Sequence, residues 1–345
     1  MSSGSINKII RSSAVAVLLM AAVLFSGGCA TDKSVIAQAD DVHTGLQPAV
    51  INDPQLAGYL QKVGDRIIAA AKKYDKQSED QPASHKNGED NSWMFQDMKF
   101  HFVNSKTVNA FTTGGEHMYV YTALFEMCKT EDELAAVMAH EFAHVYCRHV
   151  QKGTNRQYAT LAAAAVAGVG GAAVGGKEHA MEYGGYAAGL AMVGGQLAGT
   201  KFTSNDENQA DKYGFKFYTQ AGWDPAKFGD FFQHMIDAGF DANASGDHPS
   251  LASRVEAANR RRSELSKNSG AYKKPDTASD SEFASLKARA KDVSAKMPDD
   301  KSLQQAQQLL SAFNSCVAAK DSPEQIKARQ EIQQKLDAAQ KAQAQ

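Results

Sequence analysis

The sequence predicts an α+β fold, predominantly helical: a small antiparallel or mixed sheet with an edge strand over an H-E-x-x-H helix, then a helical C-terminal extension. Three observations predict it. Strand-like alternation falls early, in Met98 to Val103 and His117 to Tyr121. A helical segment then carries His140-Glu141-Phe142-Ala143-His144. Helical spacing prevails in the segments that follow.

The amino terminus reads as a targeting segment. Lys8 and Arg11 precede a short apolar run, Ala14 to Phe25, and Ser26-Gly27-Gly28-Cys29 closes it with small residues. Residues 1–28 resemble a bacterial lipoprotein signal, with Cys29 as the acylated first residue of the mature chain. Ser26 stands where such signals usually have Leu. Export from the cytoplasm is implied, and Ala30 after the cysteine fits an outer-membrane destination. Residues 29–50 read as a tether.

A main domain is expected over residues 51–263. Asp53-Pro54 offers an N-cap and a proline at the first helical position, opening a helix to about Tyr74. Residues 75–92 are polar and turn-rich. In the first strand Lys99 and His101 alternate with Phe100 and Phe102. Asn109-Ala110-Phe111 leads through a Gly114-Gly115 turn into the second strand. Thr130-Glu131-Asp132-Glu133 has the pattern of a capping box, and Leu134, Val137, Met138, Glu141 and Val145 follow at helical spacing. Gly153 is the expected stop.

Residues 159–199 are mostly Ala and Gly. The uncharged run 159–176 is nearly long enough to span a bilayer, but Ala and Gly transfer weakly to lipid, and small residues suit closely packed helices. The segment is either a lid candidate or an inert hairpin. Residues 264–281 read as a linker and 282–345 as a helical extension, with an apolar stripe at Leu309, Leu310, Phe313 and Val317.

The formal net charge of −2 over 345 residues gives no reason to expect nucleic acid as partner. Nothing in the pattern sets an oligomeric state. Beyond Cys29 the cysteines are Cys128, Cys147 and Cys316. Cys128 and Cys147 would sit about 25 Å apart along one helix, too far to bridge, so any disulfide uses Cys316.

The chemistry starts at His140 and His144. Four residues apart on a helix, both imidazoles share a face and can reach one metal ion. Glu141 then lies beside that ion, placed to take a proton from water. A catalytic zinc needs three protein ligands and an open position. Glu207 is the candidate third ligand, and Asp211, one turn on, can hydrogen-bond a ligand imidazole. One Zn²⁺ per chain is expected.

These motifs resemble the HtpX-like family of zinc metalloendopeptidases, gluzincins that include the CAAX prenyl proteases and the mitochondrial Oma-type enzyme. The resemblance rests on Asn109-Ala110-Phe111, Gly114-Gly115, His140-Glu141-x-x-His144 with Arg148-His149, Glu207-x-x-Ala210-Asp211, and His248-Pro249 with Arg254. It covers roughly residues 50–260. It implies His140, His144 and Glu207 as zinc ligands and Glu141 as general base. It also implies the strand with Tyr119 and Tyr121 as the sheet edge that an extended substrate joins, with Asn109 lining the same cleft. His248 would stabilise an oxyanion, occupy the open zinc position to keep the enzyme latent, or be part of a turn. Arg254 would fix the His248 loop or pair with a carboxylate near the zinc.

The expected function is a periplasmic, lipid-anchored zinc endopeptidase acting in quality control. Its substrates would be misfolded, stalled or misassembled envelope proteins, with the membrane engaged through Cys29. The alternative is a chaperone-like assembly factor for outer-membrane proteins with little proteolysis.

Overall fold

The computed structural model of the protein describes residues 31–85, 90–155, 202–240, 249–265 and 278–313. The signal with Cys29, the Ala/Gly segment 159–199, His248, Cys316 and the rest of the tail lie outside the described residues.

The segment expected as a tether is instead a docked helix, α1 (Asp32–Leu46), capped by the Thr31 side chain. Val35, Ala39, Val42 and Leu46 recur at helical spacing and are all buried. Residues with that stripe lower their free energy by packing, so they do not hang free.

Helix α2 (Pro54–Gln77) starts as expected. The Asp53 side chain accepts hydrogen bonds from the amides of Gln55 and Leu56. Its stripe of Leu56, Leu60, Val63, Ile67 and Ala71 faces the main core.

The sheet comprises β1 (Lys99–Val103), β2 (Ala110–Thr112) and β3 (His117–Tyr121), in the order β1-β3-β2. β1 runs parallel to β3 and β2 antiparallel to it. Gly114, in the β2–β3 turn, has φ 76, and a Cβ there would lie 2.4 Å from Val150. Both the backbone angle and the space demand glycine.

This topology corrects one expectation. β3 is the central strand, so it offers no edge for a substrate. Tyr119 and Tyr121 are fully buried. Tyr119 Oη lies 2.9 Å from His43 Nδ1, and Tyr121 donates to the Leu310 carbonyl at 2.6 Å. The edges are β1, flanked by an isolated bridge from Val50 to Val103, and β2, which packs on the H-E-x-x-H helix.

Side chains alternate across the sheet as a pleated strand requires. Phe100, Phe102, Ala110, Met118 and Val120 join the main core. Val103, Phe111, Tyr119 and Tyr121 face a second, smaller core under α1 and the C-terminal helix. The sheet therefore separates two cores.

Helix α3 (Thr122–Met127) leads into α4 (Glu131–Tyr146). Thr130 caps α4 through the Glu133 amide, but Glu133 reaches back to the Lys129 amide, one residue beyond the reciprocal partner of a capping box. Three buried acids occupy the first turn, where the helix dipole favours them. Glu131 also accepts from Tyr59 and Trp223, which ties α4 to α2.

The expected stop at Gly153 comes earlier. α4 ends at Tyr146, and Arg148 adopts φ 53. That left-handed conformation costs roughly 1–2 kcal/mol for a residue with a Cβ. It aims the guanidinium at Asp32, with Nη2 to Oδ2 at 2.8 Å, and so joins α1 to the turn. A further helix, α5, covers residues 149–155.

Next come α6 (Ser204–Ala221), α7 (Asp230–Asp237) and α8 (Leu251–Glu264). α6 crosses α4 closely because of Gly214, where an added Cβ would meet the Ala139 carbonyl and His140 Cα at 3.0 Å.

The C-terminal helices are part of the fold, not an appendage. α9 (Asp280–Lys296) inserts Phe283, Leu286 and Ala290 into the main core. α10 (Lys301–Ala312) packs beside α1, and Phe313 stacks on Phe111 of β2 with ring centroids 4.0 Å apart. Cys128 and Cys147 are buried free thiols, both pushed up by burial, Cys147 to about 12. Neither is poised for thiolate chemistry. Among the described residues no helix is long and apolar enough to cross a membrane.

Candidate metal centre

Two helices build the centre. On α4, His140 and His144 lie one turn apart and are completely buried. On α6, Glu207, Asp211 and Gly214 fall at i, i+4 and i+7, so one face carries both carboxylates and the glycine that lets the helices meet.

The donors converge. His140 Nε2 lies 3.1 Å from His144 Nε2 and 3.5 Å from Glu207 Oε2. His144 Nε2 lies 3.7 Å from Glu207 Oε1. Four-coordinate bonds of about 2.0–2.2 Å place neighbouring ligand atoms roughly 3.3–3.6 Å apart. Two imidazole nitrogens and a carboxylate at these spacings fit a divalent metal and leave a position open. Glu141 is completely buried on the same helix.

Each histidine is held from behind. His140 Nδ1 lies 2.9 Å from Asp211 Oδ1. Arg254, from the first turn of α8, donates from Nε to Asp211 Oδ2 at 3.0 Å and from Nη2 to Oδ1 at 2.7 Å. The guanidinium itself lies over Phe232 of α7, 3.9 Å from the ring centroid. Arg254 thus pairs with a carboxylate beside the candidate metal position, while His248, part of the other role expected of it, lies outside the described residues. Asp211 is expected to be ionised throughout the usual pH range. Burial raises its pKa, but Arg254 and His140 together draw it well below the usual carboxylate value.

His144 is backed by a residue that spacing alone did not single out. With its Nε2 toward the metal position, its Nδ1–H donates to His149 Nδ1 at 3.0 Å. Burial holds His149 neutral, down to about 4, which lets it accept. Phe202 stacks on the His144 ring, centroids 4.1 Å apart. The Arg148-His149 pair after the motif was the available signal for His149. Nothing local marks Phe202, which meets His144 only through the α4–α6 approach.

The two candidate ligand imidazoles differ electrostatically. Burial keeps His144 well below its ordinary pKa, hence neutral and ready to donate a lone pair. His140 is depressed by burial and by Arg254, but hydrogen bonds to Asp211 and Glu207 prevail and lift it to about 9. A metal must displace that proton, so uptake weakens as pH falls below this value.

Asn109 is completely buried just before β2, and its carbonyl accepts from the Tyr121 amide. It immediately precedes the edge strand that packs on α4, whereas Tyr119 and Tyr121 lie in the central strand.

Asp211→Asn should lower metal affinity by about 10- to 100-fold, because the ring loses its charged partner and Arg254 loses its own. Titration with a competing chelator measures this. Unchanged affinity would mean that Asp211 serves packing and not the metal.

A buried H-E-x-x-H helix crossed by a second helix that supplies a glutamate and an orienting aspartate defines the metallopeptidase class. The chain belongs to peptidase family M48, whose model matches residues 89–262. It is similar to the beta-barrel assembly-enhancing protease of Escherichia coli, 29% identical over 195 residues, 54% of this chain and 34% of that protein. Metalloprotease LoiP of the same species is 29% identical over 163 residues, 47% of this chain and 61% of that one. A mitochondrial metalloendopeptidase, OMA1 of Schizosaccharomyces pombe, is 45% identical over 51 residues, 15% of each chain. The chain thus spans about a third of the length of the first of these relatives. Family membership bears out the resemblance read from the motifs.

Proposed function

We propose that the protein is a zinc-dependent endopeptidase that cleaves misfolded or stalled proteins of a bacterial envelope. One observation carries this reading: His140, His144 and Glu207 present donor atoms within 4.8 Å of one another, with Glu141 on the same buried helix. Two imidazoles and one carboxylate with an open position are the donor set of catalytic zinc.

When bound, the zinc supplies the Lewis acidity that makes a water nucleophilic at neutral pH and polarises the scissile carbonyl. The chain's own residues do the rest. Asp211, clamped by Arg254, fixes the His140 ring, and His149 and Phe202 fix that of His144. Glu141 accepts the proton of the attacking water and passes it to the leaving amine. β2, at the sheet edge over α4, is where an extended peptide would add as a further strand, taking the role first expected of β3.

The envelope setting draws on two supports. One is the lipoprotein-like amino terminus ending at Cys29. The other is the name of a relative, a beta-barrel assembly-enhancing protease. That name also suits an assembly factor, the second reading. A Glu141→Gln chain that still supports envelope assembly would favour it.

Removing metal with a chelator should abolish cleavage of an unfolded protein such as reduced casein, and stoichiometric Zn²⁺ should restore it. Cleavage that survives complete metal removal would end the zinc reading. Separately, Cys29→Ser should move the protein from the membrane fraction to the soluble periplasm or leave its signal uncleaved. An unmodified mature N-terminus at another residue counts against the anchor.

A further inference from the structure

A second group of histidines lies across the sheet from the main core. His43 comes from α1, His101 from β1 and His117 from β3. One nitrogen of each lies within 4.8 Å of the others. His101 Nε2 and His117 Nδ1 are 2.9 Å apart, close to the 3.1 Å between His140 Nε2 and His144 Nε2. We propose that His43, His101 and His117 form a second site for a zinc-class divalent cation, separate from the M48 centre, which clamps α1 to the sheet.

The surroundings repeat the logic of the first centre. There, the nitrogen of His140 that faces away from the metal position is held by Asp211. Here, His117 Nε2 faces away and meets Asp40 Oδ1 at 3.3 Å. A carboxylate behind a ligand imidazole sets its tautomer and raises its basicity. Tyr119 adds a phenol oxygen 2.9 Å from His43 Nδ1.

The rings are kept neutral, as ligands must be. Burial, with the neighbouring histidines and Lys99, depresses His101 to about 3. Burial and His43 hold His117 at about 4 against the pull of Asp40. His43 is also lowered, by burial and Lys99. A hydrogen bond between two neutral rings joins His101 to His117, while Tyr119 and Gln47 hold the third imidazole, His43, stacked on them. His43 lies over His117 with centroids 4.0 Å apart and an interplanar angle of 6°. Ligation therefore turns the His43 ring, which its half-exposed place on α1 permits. The group is reachable from solvent, since His43 and His101 are only half-buried.

Three imidazoles suit zinc, copper or nickel, and leave a further position for water, the Tyr119 oxygen or Asp40. The ion would cross-link residues 43, 101 and 117. The helix just after the proposed lipid attachment would then be fixed to the sheet that carries β2.

The test uses the full mature chain, stripped of metal and titrated with Zn²⁺ alone. Wild type should bind two zinc ions, and His43→Ala and His101→Gln one each. His144→Ala should also keep one, and added zinc at about 100-fold over its Kd should raise that variant's Tm by roughly 5–10 °C. His43 is half-exposed on a helix, so His43→Ala reports on binding without disturbing the sheet, and circular dichroism checks this. If wild type binds one zinc that His144→Ala loses and His43→Ala keeps, the second site is overturned and the M48 centre stands. If the single zinc is instead lost in His43→Ala and kept in His144→Ala, the second site stands and the M48 metal assignment fails.

Discussion

Glu141→Gln should keep its metal and lose peptide cleavage by about 10²–10⁴-fold, the range for loss of a general base. The amide has the shape of the carboxylate but cannot accept the proton of the attacking water. Glu141 is completely buried on α4, adjacent in sequence to the ligand His140. An ionised carboxylate at such a position is costly unless charge or function compensates it. Zinc content by elemental analysis and turnover of an unfolded protein, measured on one preparation, check the two halves together. Cleavage at wild-type rate would remove Glu141 from the mechanism. Loss of the metal along with cleavage would make it a structural support of the centre instead.

His144→Ala should empty the M48 centre and abolish cleavage, since two donors seldom retain zinc. Glu207→Gln should weaken zinc at that centre by more than the 10- to 100-fold expected of Asp211→Asn, because it removes a ligand oxygen's charge and not a supporting hydrogen bond. The distances favour this order. Glu207 oxygens face both ligand nitrogens, at 3.5 and 3.7 Å, while Asp211 meets the far nitrogen of His140 at 2.9 Å. If Asp211→Asn proves the more damaging to affinity, the two roles are exchanged.

Much of this centre was legible in the sequence because its parts are local. His140 with His144, and Glu207 with Asp211, are each four residues apart, and the helical period alone puts each pair on one face. Asp53-Pro54 announces α2 for the same reason, since a cap and the first turn are contiguous in the chain. The alternation in 99–103 and 117–121 locates two strands, because side-chain direction follows from the pleat.

Strand order was not legible, since pairing joins residues from separate segments and no local period encodes it. β3 is central because β2 folds back on it through Gly114 while β1 pairs with its other side. That alone moves the edge role from Tyr119 and Tyr121 to β2. The docking of α1 and α10 likewise depends on the apolar face that Phe111, Tyr119 and Tyr121 present together, which exists only once the sheet has formed.

The sequence by itself thus determined α2, α4, strands β1 and β3, and the helical faces that carry His140 with His144 and Glu207 with Asp211, because each is written within one or two turns of chain. Only the tertiary structure decided what stands behind them. Arg254 reaches Asp211 across 43 residues, Phe202 covers His144, and His43 stacks on His117 although 74 positions separate them (117 − 43). Those contacts come from packing between elements, and packing is set by the whole core.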